Sequence, residues 1–356
     1  MISIYDPLSL SRLCNIVSAQ SVIWNKKFYE VGTFEIHISG NNEYQKFIKK
    51  GNIIVHGQNA GIILYASKSR NDIKIIGYDL KGICSQRVVV PPFVYSDSPT
   101  TLEGYDRVKG NAETVMKHYV NSQIVNPTDT DRKVQNIIIA EDAKTGVSMA
   151  WQAKFTLLSE ELNKIGLYAG LGYDITFDAE SKKLIFDIET GIDRTVNQRD
   201  IAPIVFCKEY RNISDYEYEQ NAKDAVNVAY IGGNGEEEEQ YITKLGTLSQ
   251  KGIYRQEGFS EVHSDDVQEV EDGGLAYIKE NQETETIETE TNSRYKYNED
   301  WYLGDYVTLK IDGFGETVML DKQITEVQEV YEKGNMKIVP VFGEKKGSII
   351  KKILRS

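Results

Sequence analysis

Histidines and clustered carboxylates are the side chains in this chain that could do chemistry near neutral pH. There are four histidines, His37, His56, His118 and His263. Two imidazoles one helical turn apart, or an H-E-x-x-H, would suit zinc, but no two of these histidines share a local ligand spacing. His37 falls on the polar phase of an alternating segment, Phe34, Ile36 and Ile38 against Glu35, His37 and Ser39, as on a half-buried strand. Each histidine reads as a surface or interface residue. Glu236, Glu237, Glu238 and Glu239 are consecutive. They could meet a hard cation, but a calcium loop spaces its acids as Asp-x-Asp-x-Asp-Gly, so they read as a solvated loop. Asp265-Asp266 reads the same way, and Glu299-Asp300 as turn chemistry. Gly232-Gly233-Asn234-Gly235 lacks the Gly-Lys-Ser/Thr ending of a phosphate loop. Gly313-Phe314-Gly315 fits a hairpin turn, and no Gly-x-Ser-x-Gly elbow occurs. No residue is therefore assigned to catalysis, to a cofactor or to a metal, and the chain is read as a non-enzyme.

The elements that would position any site come next. A chain of 356 residues with 40% hydrophobic and 27% charged residues suits a soluble globular protein of two or three domains. Residues 1–97 read as short strands separated by Gly57, Gly61 and Asn71-Asp72, the pattern of a small barrel or rolled sheet. A strand at 87–90 should stop at Pro91-Pro92, which donate no ladder hydrogen bonds. The polar stretch 96–110 is a domain boundary. Residues 98–200 read as an α+β domain. One helix follows Asn111 as N-cap, and a second starts at Thr156 and ends at Gly170 and Gly172. A hairpin pairs 173–177 with 183–188. Strands resume over 201–343, at 204–210, 225–231, 240–245, 307–311, 317–320, 324–331 and 337–341. A short helix is expected at 272–279. Residues 283–291 alternate Glu with Thr, which allows a two-faced strand or an acidic loop; Thr, Ile and the lack of Pro favour the strand.

The formal charge is −13, which disfavours stable phosphate binding. Residues 255–300 hold 14 Asp/Glu against 4 Lys/Arg, a net of −10, and so most of the excess. They read as a solvated surface; lining a channel, they would keep DNA from sticking. Cys14, Cys84 and Cys207 are widely spaced and odd in number, as reduced thiols are. The N-terminus lacks a secretory h-region and no apolar run is long enough for a membrane span, so folding in a cytoplasm and release by lysis are expected, with no stable membrane insertion. There are 22 Tyr to 11 Phe, a hint of interfaces. The end of the chain, 344–356, is a basic tail. It reads either as a frayed terminus or as a docking arm, with Ile349, Ile350, Ile353 and Leu354 at helical spacing.

Several motifs occur in an order that resembles the phage tail-hub family. Trp24-Asn25-Lys26-Lys27-Phe28-Tyr29-Glu30-Val31-Gly32-Thr33-Phe34-Glu35 looks like its opening pattern, and Gly77-Tyr78-Asp79-Leu80-Lys81-Gly82 begins its second landmark. Val226 to Gly233, Ile253 to Phe259 and the turn Leu303-Gly304-Asp305 before Tyr306-Val307-Thr308-Leu309 follow in order. The chain departs at Gln256, where relatives often carry a second basic residue. The resemblance implies a β-rich α+β fold with two small tube-type β-barrels, 1–97 and 201–343, flanking the α+β domain. It implies a homotrimeric ring in the virion tail, assembled in the host cytoplasm. Its implied partners are the tail tube or distal tail protein, the tape measure protein and a tail-tip spike, fibre or receptor-binding protein, with DNA passing transiently. Some relatives carry a C-terminal hydrolase, for which no length is expected after Gly343. The rival reading is a tail-tip protein that binds cell-wall glycan, with Trp24, Trp151 or Trp301 on an exposed platform, or that hydrolyses peptidoglycan.

Overall fold

The computed structural model describes residues 1–95, 104–235, 237–292, 294–332 and 334–344. Seven strands open the chain: β1 (Ile2–Tyr5), β2 (Arg12–Ile16), β3 (Ser21–Lys27), β4 (Thr33–Ser39), β5 (Ile53–His56), β6 (Asn59–Lys68) and β7 (Asp72–Asp79). Alternation dictates their facing, since Phe34, Ile36 and Ile38 of β4 are buried and their neighbours are not. Ile2, Ile4 and Ile16 share one apolar core with Trp24, Phe34, Ile36 and Ile75, so this part of the sheet rolls upon itself.

The middle of the chain holds β8 (Asp106–Asn111), α1 (Ala112–Val120), β9 (Ile137–Ile139), β10 (Ser148–Ala153), α2 (Leu158–Ala169), β11 (Gly172–Asp178) and β12 (Lys183–Glu189). Val115, Met116, Tyr119, Leu162 and Ile165 bury the helix faces against Tyr173 and Phe186. Gly170 caps α2 in the left-handed conformation at φ 71°, as its position in the sequence indicates. Asn111 stands at the N-cap of α1, but its side chain donates to Gly146 O (3.0 Å) instead of capping. Residues 87–90 are not a strand of a sheet. Val89 exchanges backbone bonds with Phe155 and Thr156, so this stretch ties the first sheet to the start of α2.

The last third contributes β13 (Asp193–Arg194), β14 (Val205–Cys207), β15 (Ile213–Asn221), β16 (Val228–Gly232), β17 (Ile242–Gly246), β18 (Glu257–Glu261), α3 (Val267–Glu280), β19 (Thr284–Thr291), β20 (Tyr306–Asp312), β21 (Thr317–Glu332) and β22 (Asn335–Phe342). The Glu/Thr segment is a strand, β19, held between β15 and β22. Three strands, in the order β17-β16-β18, form a separate small sheet under α3.

The β-rich α+β class is the observed one, but the flanking barrels do not close among the described residues. The large sheet has 14 strands, and its main path runs β15-β19-β22-β21-β3-β4-β7-β6-β5-β1-β2. The cause is the 16-residue β21. Its first half pairs with β20. Its second half pairs with β22 on one side and with β3 on the other, Val327 standing opposite both Pro340 and Lys26. One strand thus serves both ends of the chain; β15 and β2 end the main path, and a branch through β20 ends at β13 and β14.

The acidic segment is less of a solvated surface than its composition suggests. Helix α3 starts at Val267, ahead of the expected 272, because Asp266 caps it. The Asp266 carboxylate accepts from Gln268 N (3.0 Å) and Glu269 N (3.4 Å) and also pairs with Lys109 (2.5 Å). Buried Glu269 meets Arg107 Nη1 at 2.6 Å. Buried Asp272 accepts from Ala150 N (2.8 Å) and Tyr168 Oη (2.7 Å). These acids fasten α3 to the middle domain. Asp266→Ala should therefore lower stability by about 1–2 kcal/mol through the lost cap and ion pair. Asp265→Ala, at an exposed position, should change it by less than about 0.5 kcal/mol. Chemical denaturation of both variants checks this, and equal losses would refute the assignment.

Candidate functional site

The histidines lie apart and serve local structure. His37 bonds Asp72 (3.0 Å) and Glu35 (2.9 Å), and the Glu35 bond is the main reason that its pKa is raised. His118 bonds Asp106 at 2.7 Å. Burial lowers the pKa of His56, which stands edge-on to Tyr331. Cys14, Cys84 and Cys207 are buried free thiols. Among the described residues no group of His, Cys, Asp or Glu is arranged to hold a metal. Glu236 lies outside the described residues; Glu237–Glu239 form a short turn. Trp24, Trp151 and Trp301 are all buried in cores, which removes the exposed platform that glycan binding would need from them.

Three of the motifs that the sequence singles out, at Phe28, at Asp79 to Gly82 and at Gly304, meet at one ring. Phe28, in the loop after β3, is fully buried. A Cβ added at Gly172 would lie 2.5 Å from Phe28 Cε2, and one added at Gly304 would lie closer still. Only glycine on both sides leaves a slot for the ring. Gly304 also holds φ +95°, which other residues rarely adopt. The slot joins the first sheet, the middle domain at β11 and the turn before β20. Bonds to the backbone beside the ring seat it, with Phe28 N donating to Thr325 O (2.8 Å) and the Lys81 side-chain Nζ to Lys27 O (2.5 Å) and Phe28 O (3.3 Å). Tyr29 Oη donates to Gln323 Oε1 (2.6 Å), whose Nε2 donates to Gly304 O (3.0 Å). Asp305 completes the turn, its carboxylate accepting from Ile192 N (2.9 Å), Tyr302 N (3.0 Å) and Arg194 Nε (2.7 Å).

A buried polar group surrounds the slot. Asp79, from the end of β7, accepts from Gly32 N (2.8 Å) while its Oδ1 has no partner. Burial pushes its pKa up to about 6 despite Lys81 and Lys26 nearby. Burial likewise pushes the Cys84 thiol up to about 12. Glu189 is raised by burial and by Asp174. Burial opposes the Lys26 ammonium, but Tyr297, Asp174, Glu189 and Glu329 around it raise its pKa. Shifted groups in a cleft can mark catalysis. Here Asp79, Cys84 and Tyr173 are buried where three parts of the chain meet, so they hold structure.

The Asp79 shift makes stability depend on pH. Its folded pKa of about 6 exceeds the unfolded value of about 3.9, so the folded state holds the proton more tightly. The resulting penalty is absent below about pH 4, grows as pH rises to about 6, and then levels off near 3 kcal/mol. Asp79→Asn removes it. The variant should gain on the parent protein from pH 4 to 6 and hold that gain to pH 7.5 in paired thermal melts. Parallel melting curves would contradict the assignment.

With this geometry in view, the chain can be set beside known proteins. No curated protein matches it significantly in sequence. Among solved structures it is similar to the prophage tail protein gp18 from Listeria monocytogenes EGD-e. The TM-score is 0.56 at 11% identity, covering 100% of this chain and 99% of that one. It is also similar to the prophage MuSo2 43 kDa tail protein from Shewanella oneidensis (TM-score 0.53, 10% identity, 96% and 97% covered). A tail protein from Neisseria meningitidis MC58 matches as well (TM-score 0.53, 12% identity, 97% and 96% covered). At these identities the likeness is one of fold, and it spans the whole chain. A family model matches residues 1–344, so the chain belongs to the Siphovirus ReqiPepy6 Gp37-like protein family.

Proposed function

We propose that this protein is a structural hub subunit of a phage or prophage tail, assembling as a homotrimeric ring and acting by assembly rather than catalysis. The ring joins the tail tube or distal tail protein to the tip spike, fibre or receptor-binding protein, and it passes tape measure protein and DNA. The observation that carries this reading is the end-to-end match to a siphovirus protein family and, in fold, to prophage and other tail proteins. Three features of the chain support it. The large sheet ends in edges at β2 and β15, each paired on one side only, and free edges invite strand pairing or must be covered. Tyr210, Tyr241, Tyr254 and Tyr306 are exposed, as suits interfaces. The net charge of −13 suits a passage that does not retain DNA.

Light scattering with negative-stain imaging of one sample tests the proposal. The expected result is a mass of three chains in rings with a central channel. A monomer at all concentrations, without rings when mixed with tail tubes, would contradict it.

A further inference from the structure

Where the first sheet meets the start of α2, the surface carries a group of apolar side chains. Val88, Val94, Tyr95, Phe155 and Leu157 are all exposed. They form one patch. Val88 bridges to Leu157, Phe155 N donates to Val89 O (2.8 Å), and the Phe93 and Phe155 rings stand edge-on with centroids 6.3 Å apart. Single exposed apolar residues are ordinary, but a contiguous group rimmed by charge marks an interaction surface. This rim is cationic. The stretches 87–95, 132–135 and 154–157 hold Arg87, Arg132, Lys133 and Lys154 and no Asp or Glu. With the flanking Asp129, Asp131 and Glu160 counted, the balance is still four cations to three acids, in a chain of net charge −13. Arg87 donates to Arg132 O through Nε (3.1 Å) and Nη2 (3.0 Å), and Arg132 donates to Val88 O (2.7 Å) and Tyr95 Oη (3.3 Å). Lys154 Nζ lies over the rings of Phe93 (5.7 Å) and Tyr105 (5.2 Å). Among the described residues none of these four cations pairs with a carboxylate, so their charge is unanswered.

Unanswered charge of the opposite sign stands elsewhere on the same chain. The connection between β16 and β17 carries Glu238 and Glu239, which are exposed and without an ion pair among the described residues. The exposed Tyr241 and Ile242 follow them. Backbone bonds hold this hairpin in place: Gly233 N donates to Tyr241 O (2.7 Å), Tyr241 N to Asn234 O (3.2 Å) and Asn234 N to Ser264 O (3.1 Å). It therefore presents acids beside apolar side chains at a fixed place, the complement of the cationic patch in both respects. Among the described residues no hydrogen bond or ion pair joins the two surfaces within one chain. Two different and complementary patches on one subunit are what a head-to-tail contact needs, and a rotation that closes makes a ring of it. We propose that the cationic apolar patch around Lys154 and Phe155 takes the 238–242 hairpin of a second copy of this chain. The inference rests on the ring reading and names the surfaces by which neighbouring copies meet.

Charge reversal followed by light scattering over a concentration series tests it. Lys154→Glu should weaken self-association at least tenfold, and so should Glu238→Lys combined with Glu239→Lys. Lys133→Glu, at a second exposed rim position, should act in the same direction. The chain carrying Lys154→Glu, Glu238→Lys and Glu239→Lys together again opposes unlike charges across every contact, and it should associate within about threefold of the parent. High salt should weaken the association of the parent. Unchanged thermal melts of the variants show that contact and not folding is being read. A parent that forms trimers while every reversal leaves them intact overturns these surfaces and leaves the ring standing. Losses in the separate reversals without recovery in the combined chain overturn the pairing of the two surfaces. A parent that stays monomeric at all concentrations, and forms no rings with tail tubes, overturns the ring reading and this inference together.

Discussion

One aromatic ring sets the geometry on which the rest of this protein depends. Phe28 fits only because Gly172 and Gly304 lack side chains, so one ring fixes how closely three distant stretches approach. Burying such a ring is worth about 1.5–3 kcal/mol, which alone does not hold the parts together. Its value lies in registration. With Phe28 seated, the Tyr29–Gln323–Gly304 chain of bonds forms, and Asp305 can accept from Ile192 and Arg194. Interiors are close-packed, so a ring with the backbone of two distant stretches against it leaves little room for sliding.

The long strand β21 extends this registration across the molecule. Both the opening strands and the closing strands hydrogen-bond to it, so the two β regions form one sheet in place of two closed barrels. The middle domain is clasped from two sides, by the slot through Gly172 and by α3 through Asp266, Glu269 and Asp272. The raised Asp79 carboxyl and Cys84 thiol are enclosed at the junction, while the exposed features are edges and tyrosines.

The sequence shows which residues matter better than it shows why. The turn at Leu303-Gly304-Asp305, the Phe28-Tyr29 pair and the Asp79-to-Gly82 stretch stand out as landmarks, and the structure brings all three together. Nothing local could reveal that meeting, because residues 28 and 304 are placed by folding and not by period or spacing. Helix α2 and its Gly170 cap were legible, since apolar spacing and a left-handed cap are local signals. Strand β15 gave no such signal: its run Ile213-Ser214-Asp215-Tyr216-Glu217 is mostly polar, and only pairing with β19 makes it a strand. Three of the acids of 255–300 depart from the solvated surface for a similar reason. Composition counts charge but cannot see that Arg107, Lys109 and backbone donors from 110 residues or more away are waiting for Glu269, Asp266 and Asp272. Open barrels were equally invisible, because closure depends on which strands share β21.

Native-state hydrogen exchange on Gly172→Ala tests most directly the claim that the slot at Phe28 couples the three parts. The substitution touches the middle domain alone in sequence. If the slot registers the whole molecule, protection should fall together in β3, in β11 and in β20 with β21, by a similar factor. A loss confined to β11 and its neighbour β12, with β3 and β20 unchanged, would show that the parts stand independently and would contradict the account.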